Sequence, residues 1–65
     1  MLTVNGKTHT YETEMTLGDL LEGLQLSETL CAIEVNNALV PHNERNEYKL
    51  QDEDKVEIVS LVGGG

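Results

Sequence analysis

With a single cysteine, Cys31, the chain has no intramolecular disulfide. Cys31, His9 and His42 together fall short of the four Cys/His ligands of a structural zinc site. No apolar run approaches the ~20 residues that span a bilayer. No apolar h-region follows Met1, so neither a membrane anchor nor a secretory leader is expected. Basic residues are scarce: four Lys/Arg face twelve Asp/Glu, a net charge of −8. That field repels nucleic acid phosphates and anionic headgroups, which argues against nucleic acid and membrane partners, and steers the chain toward a basic partner protein. Charge of this size also serves simple solubility. At 65 residues there is one small domain, burying about 60% of the surface of its unfolded chain, with no room for a walled enzyme cavity. No nucleophile–base pair, phosphate loop or metal set is present, so the expectation is a non-enzyme. A lone thiol in an acidic chain suits a reducing, cytoplasmic setting, and a monomer is expected.

What is present reads as short, well-punctuated elements. Leu2-Thr3-Val4 and Lys7 to Tyr11 alternate around Asn5-Gly6, the strongest short-range hairpin signal. A two-residue turn places Val4 opposite Lys7 and Leu2 opposite His9. Leu17, Leu20, Leu21 and Leu24 then stand at i, i+3, i+4 and i+7, one apolar stripe of a short helix. Thr16 occupies the N-cap position, where a good cap contributes about 1 kcal/mol, and Asp19 puts a carboxylate in the first turn. Gly18 and Gly23 weaken this helix by up to ~1 kcal/mol each, so packing of the Leu stripe must hold it.

Leu30 to Val35 reads as a strand with Cys31, Ile33 and Val35 on one face. Asn36-Asn37 is a second tight turn, and Ala38 to Val40 a return strand stopped by Pro41. His42 to Asn46 reads as a loop or single helical turn, and Tyr48 and Leu50 as a brief edge segment. After the turn at Gln51 to Asp54, Lys55 to Val62 is the longest strand. It is apolar on both parities and therefore central. Hairpin, helix, hairpin and final strand, joined by a right-handed crossover, give an α+β fold: a β-grasp, ubiquitin-like domain whose mixed four- to five-stranded sheet carries one helix. Residues 1–62 form the domain and residues 63–65 a flexible tail.

Two features of the last strand point outward. Val56 and Ile58 share the parity that faces the helix. Val59 and Leu61 share the other, which a single helix leaves uncovered, so Val59, Leu61 and Val62 are expected to form an apolar partner-binding patch leading to the tail. Gly63-Gly64-Gly65 reads either as a frayed end or as a substrate arm. Lacking Cβ atoms, Gly63 and Gly64 can thread a narrow partner channel and leave the Gly65 carboxylate sterically open. Cys31, in an apolar strand with no cationic sequence neighbour, reads as a buried structural residue. His9 reads as cover for a core edge, His42 as a solvated loop residue, and the acidic pairs at Glu12-Glu14 and Asp52-Asp54 as solvated surface.

Leu2-Thr3-Val4-Asn5-Gly6, Thr16-Leu17-Gly18-Asp19-Leu20-Leu21, Val35-Asn36, Val40-Pro41 and the ending Val56 to Gly65 together resemble the thiamine-biosynthesis sulfur carriers of the ThiS type. The likeness runs the length of the chain. It implies a β-grasp carrier whose Gly65 carboxylate is adenylated by an E1-like enzyme of the ThiF type, with ATP and Mg²⁺ used by that partner and no cofactor of its own. It further implies conversion to a thiocarboxylate, with sulfur drawn from a donor such as a cysteine desulfurase and delivered to a ThiG-type thiazole synthase. A carrier of the same fold for molybdopterin synthesis, tRNA thiolation or protein conjugation is the neighbouring alternative, and a non-covalent ubiquitin-like adaptor the remaining one. Two positions depart from the family pattern: His42, where a basic residue often follows Val-Pro, and Glu53, where Gly often precedes the last strand. The second predicts a different turn geometry, because glutamate disfavours positive φ.

Overall fold

A computed structural model of the chain describes residues 1–27 and 30–61. The elements are β1 (Leu2–Val4), β2 (Lys7–His9), α1 (Leu17–Gly23), β3 (Cys31–Val35), β4 (Ala38–Leu39) and β5 (Lys55–Ser60), with a 3-10 turn at His42–Glu44. They form a five-stranded mixed sheet in the order β2-β1-β5-β3-β4, crossed by one helix. The expected β-grasp architecture is observed. β5 lies at its centre, parallel to β1 and antiparallel to β3.

Local chemistry sets each element. Asn5 and Gly6 both take positive φ (49° and 84°), the type I′ geometry whose twist matches the flanking strands. The resulting register pairs Leu2 with His9 and Val4 with Lys7. Asn36 and Asn37 (φ 53° and 71°) make the equivalent turn between β3 and β4. Thr16 caps α1 in a reciprocal capping box: its Oγ1 accepts from the Asp19 amide at 3.0 Å, and the Thr16 amide donates to Asp19 Oδ2 at 2.9 Å.

The helix ends in a Schellman arrangement. The Leu26 amide bonds the Leu21 carbonyl at 2.7 Å and the Gln25 amide bonds that of Glu22 at 3.0 Å. The left-handed residue this requires is Gln25, at φ 62°, where glycine is usual. Gly18 has a packing reason to be glycine, since a Cβ there would overlap the Asn46 side chain and lie 3.2 Å from the Asn46 Cα.

Leu17, Leu20 and Leu21 of α1 press onto Leu2 and Val4 of β1, Ile33 and Val35 of β3, and Val56 of β5, with Val40 and Leu50 closing the sides. Each such side chain contributes about 1.5–3 kcal/mol on full burial.

Two asparagine side chains then bind strand to strand. Asn5 Oδ1 accepts from the Ile58 amide at 2.7 Å and Asn5 Nδ2 donates to the Ile58 carbonyl at 3.1 Å, which extends the β1–β5 ladder past the point where β1 turns away. Asn36 Oδ1 accepts from the Lys55 amide at 2.9 Å while its Nδ2 donates to the buried Asp54 carboxylate at 2.8 Å. Asp54 also accepts from the Gln51 amide at 2.8 Å, closing the turn into β5.

One expectation fails here. Glu53 adopts φ 73°, so the turn keeps a left-handed residue with glutamate in place of glycine. The Glu53 amide bonds the Met1 carbonyl at 2.9 Å and the Asp54 amide bonds that of Gln51 at 3.1 Å. Those bonds, with the Asp54 network, hold a conformation that its side chain disfavours.

Replacing Gln25 by Gly is expected to raise stability by roughly 1 kcal/mol, because a Cβ in the left-handed region is removed from an otherwise satisfied helix end. Urea unfolding measures this. An unchanged midpoint would mean that residue 25 does not hold the left-handed conformation in solution.

Candidate functional site

The helix covers one face of the sheet and leaves the other bare. Strand alternation puts Leu2, Val4, Ile33, Val35 and Val56 beneath α1, and sends Ala32, Glu34, Glu57 and Val59 to the opposite side. Along the β3–β5 pair Ala32 faces Val59 and Glu34 faces Glu57, while Leu39 of β4 stands beside Glu34. The Leu61 amide bonds the Leu30 carbonyl at 2.9 Å, so the antiparallel pairing continues one step past Ser60 toward the chain end.

On that bare face Leu30, Leu39, Val59 and Leu61 are 63%, 65%, 59% and 55% exposed. Leu30, Val59 and Leu61 gather at one end of the β3–β5 pair, while Leu39 stands apart beside Glu34, and three large apolar side chains together in solvent are unusual unless something docks there.

Val59 and Leu61 thus stand exposed, as their parity predicted. Val62, expected in the same patch, lies outside the described residues, as do Gly63, Gly64 and Gly65. Leu30 and Leu39 are additions that the sequence reading missed. Leu30 shares the parity of Ala32 and Glu34, but only the register of β3 against β5 brings it to Leu61 and Val59, and that of β4 against β3 puts Leu39 on the same face beside Glu34.

Cys31 is buried, as expected. Its surroundings differ from the expectation, because a cation does lie beside it. The Arg45 guanidinium, itself buried, donates from Nη2 to the Cys31 carbonyl at 2.6 Å and places Nη1 3.8 Å from Sγ. Arg45 Nη1 also meets His42 Nδ1 at 3.3 Å, so the otherwise exposed His42 is engaged through its ring rather than being purely solvated. Arg45 is fourteen positions from Cys31, which is why local sequence gave no sign of it. It ties the 3-10 turn to the start of β3, next to Leu30. His9 is half-buried and opposite Leu2, as its register required. Among the described residues no group of three His, Cys, Asp or Glu is placed to hold a metal ion, and no helix is long and apolar enough to cross a membrane.

The resolved charge interactions are peripheral. A hydrogen bond from Lys49 to Glu14, at 2.6 Å, holds the Glu14 carboxyl below its ordinary range and raises Lys49. The N-terminal ammonium donates to Asp52, lowering that carboxyl by the same means. Both pairs sit in open solvent, where screening leaves them to shape surface charge rather than stability.

A mixed sheet in this order, one helix across it and a bare apolar face define a ubiquitin-like β-grasp domain. Within that class the chain belongs to the ThiS family, whose model matches residues 2–65. It is 36% identical, over 66 aligned positions spanning all of both proteins, to the sulfur carrier protein ThiS of Bacillus subtilis. It is 37% identical to a thiazole synthase of Magnetococcus marinus over 95% of this chain but 19% of that one, so the chain spans about a fifth of that relative's length. The crystal structure of the thiamine biosynthesis protein ThiS from Geobacter metallireducens superposes with a TM-score of 0.79 at 28% identity, covering 98% of this chain and 97% of that one.

Cys31 is expected to react with a disulfide reagent roughly a hundredfold or more slowly in the native protein than in urea, because labelling must wait for β3 to open. Stopped-flow thiol kinetics measures the ratio. Native labelling at the unfolded rate would show that Arg45 does not hold this strand end closed.

Proposed function

We propose that this chain is a sulfur carrier of thiamine biosynthesis, a protein co-substrate whose reacting group is the Gly65 carboxylate. The observation that carries the reading is the family match running through residue 65, so that it includes the terminal Gly63-Gly64-Gly65. The chemistry follows from what a carboxylate lacks. As an anion it is a poor electrophile, so an oxygen must first become a leaving group. Attack of the carboxylate on the α-phosphorus of ATP, with loss of pyrophosphate, gives an acyl-adenylate. A sulfide-level nucleophile then displaces AMP and leaves a thiocarboxylate.

An E1-like adenylating enzyme would supply ATP, Mg²⁺ and the catalytic groups, and a cysteine desulfurase would be a suitable source of sulfur, its persulfide being brought to the sulfide level by a thiol reductant that is oxidised to a disulfide. The carrier contributes a tail that fits a narrow channel and a surface by which it is held. Thiazole synthase is the proposed acceptor. Support comes from relatives named thiazole synthase in which a segment similar to this chain is part of the same polypeptide. A cytoplasmic setting would supply the ATP and reduced sulfur that these reactions consume. Leu30, Leu39, Val59 and Leu61 form the docking face, and a partner gripping β5 there would hold Gly63 to Gly65 in register with its channel.

Leu61→Glu is expected to leave stability within about 0.5 kcal/mol of wild type, as for an exposed site. The same change should weaken docking to the adenylating enzyme roughly tenfold, as for a contact near the centre of an interface. Calorimetry on both proteins separates the effects, and wild-type affinity in the variant would remove the patch from the interface.

The carrier chemistry itself is tested by high-resolution intact and C-terminal-fragment mass spectrometry after incubation with ATP, Mg²⁺, an E1-like enzyme and a sulfur source. A free Gly65 carboxylate is the premise, and the intact mass reports it. Exchange of one oxygen for sulfur localised to Gly65, and dependent on ATP, is the expected result. High resolution separates it from oxidation of Met1 or Met15, which has nearly the same nominal mass change. No exchange with several such enzymes would move the reading to an adaptor with an inert tail.

A further inference from the structure

The molecule carries a second recessed surface, on the helix side of the sheet and away from the Leu30–Leu61 face. It is a groove of about 480 Å³ between the end of β2, the loop that follows it and α1. Its floor is apolar. Leu20 is buried, and Met15 and Leu24 are half-buried against the core. Its rim is anionic, with Glu12, Glu14 and Asp19 all exposed. No Lys or Arg lines it, and Lys49 reaches only Glu14 from outside. Asp19 uses one oxygen for the helix cap. Glu14 is held at φ 71°, a conformation that costs a residue with a Cβ, in a turn closed by the Met15 amide on the Glu12 carbonyl at 3.1 Å. The backbone therefore places two carboxylates, from Glu12 and Glu14, on one side of an apolar channel and Asp19 on the other.

We infer that this groove docks an extended segment of a partner protein in which apolar residues alternate with lysine or arginine. The complementarity is specific to such side chains. A long aliphatic stem lies along Met15, Leu20 and Leu24 while the cationic head meets the rim carboxylates. The sheet edge favours an extended partner. β2 is an edge strand, and in a hairpin closed by a two-residue turn the Thr8 N–H and C=O point away from β1. A segment laid beside Thr8 gains backbone bonds there and runs on into the groove, as in strand addition to other open sheet edges. This inference does not depend on the chemistry of the tail, since the two surfaces lie on opposite faces of the sheet and can be occupied together.

The test is titration of the ¹⁵N-labelled full chain with an acetylated, amidated hexapeptide alternating Lys and Val, followed by amide chemical shifts. A matched Glu/Val peptide serves as control. Shifts confined to Thr8 through Met15 and Asp19 through Leu24, with none from the Glu/Val peptide, are expected. The double variant Glu12→Gln/Glu14→Gln should bind roughly fivefold more weakly, the scale of two lost exposed ion pairs. Glu44→Gln/Glu47→Gln, which removes the same charge elsewhere, should bind like wild type.

Shifts spread over all the acidic surfaces, or equal weakening in both double variants, would reduce the effect to general charge attraction and overturn the proposal. Shifts that change with protein concentration alone would place a second copy of this chain in the groove, and would overturn it equally.

Discussion

Everything in this small domain depends on β5 having a partner on each side. Its parallel pairing with β1 and antiparallel pairing with β3 join the two hairpins into one sheet, and only a joined sheet offers α1 a surface wide enough to cover. β1 is three residues long, too short to make much of a parallel ladder with its backbone alone. The Asn5 amide supplies the missing rungs by bonding both the N–H and C=O of Ile58. At the other end Asn36 and Asp54 hold the start of β5 against β3. These hydrogen bonds sit at exposed or part-buried sites, where each contributes about 0.5–1.5 kcal/mol net. In a domain of this size that is a large share of the net stability.

The same arrangement explains why one surface of the sheet is left for use. With a single short helix the chain can cover Leu2, Ile33, Val35 and Val56 but nothing on the far side. Most of the far side is made tolerable by Thr3, Lys55, Glu34 and Glu57. Toward residue 61 the pattern changes and Leu30, Val59 and Leu61 stand in water, with Leu39 apart beside Glu34. Most of the exposed apolar surface is thus concentrated at the end of β5, flanked by the Glu34 and Glu57 carboxylates.

Where a residue's job was local, its sequence announced it. Asn5-Gly6, Asn36-Asn37, the Leu17-Leu20-Leu21 stripe and the Thr16 cap each obey short-range rules, and the elements they imply are present with the expected registers. The positions that were not legible are those decided by distant neighbours. Glu53 and Gln25 take left-handed conformations that their own side chains disfavour, because hydrogen bonds donated to the carbonyls of Met1, Gln51, Leu21 and Glu22 over-determine the backbone. Arg45 lies in the stretch read as a loop or single helical turn and is buried on Cys31. Half of the exposed patch was visible from the parity of β5. The other half, Leu30 and Leu39, required knowing which strands are neighbours. Nothing in the local pattern of Glu12 to Asp19 indicated that its carboxylates frame a channel.

The placement of β5 between β1 and β3 also governs when the domain can exist during its own synthesis. Thr3 and Lys55 are ladder partners about fifty positions apart, so the centre of the sheet closes only after β5 is available. Before that point the two hairpins and the seven-residue helix are each too small to persist alone. A chain terminated before β5 therefore has no stable sheet, no Leu30–Leu61 face and no protection from proteases. Synthesis through β5 and display of the recognition surface become a single event, set by the topology and needing no additional factor.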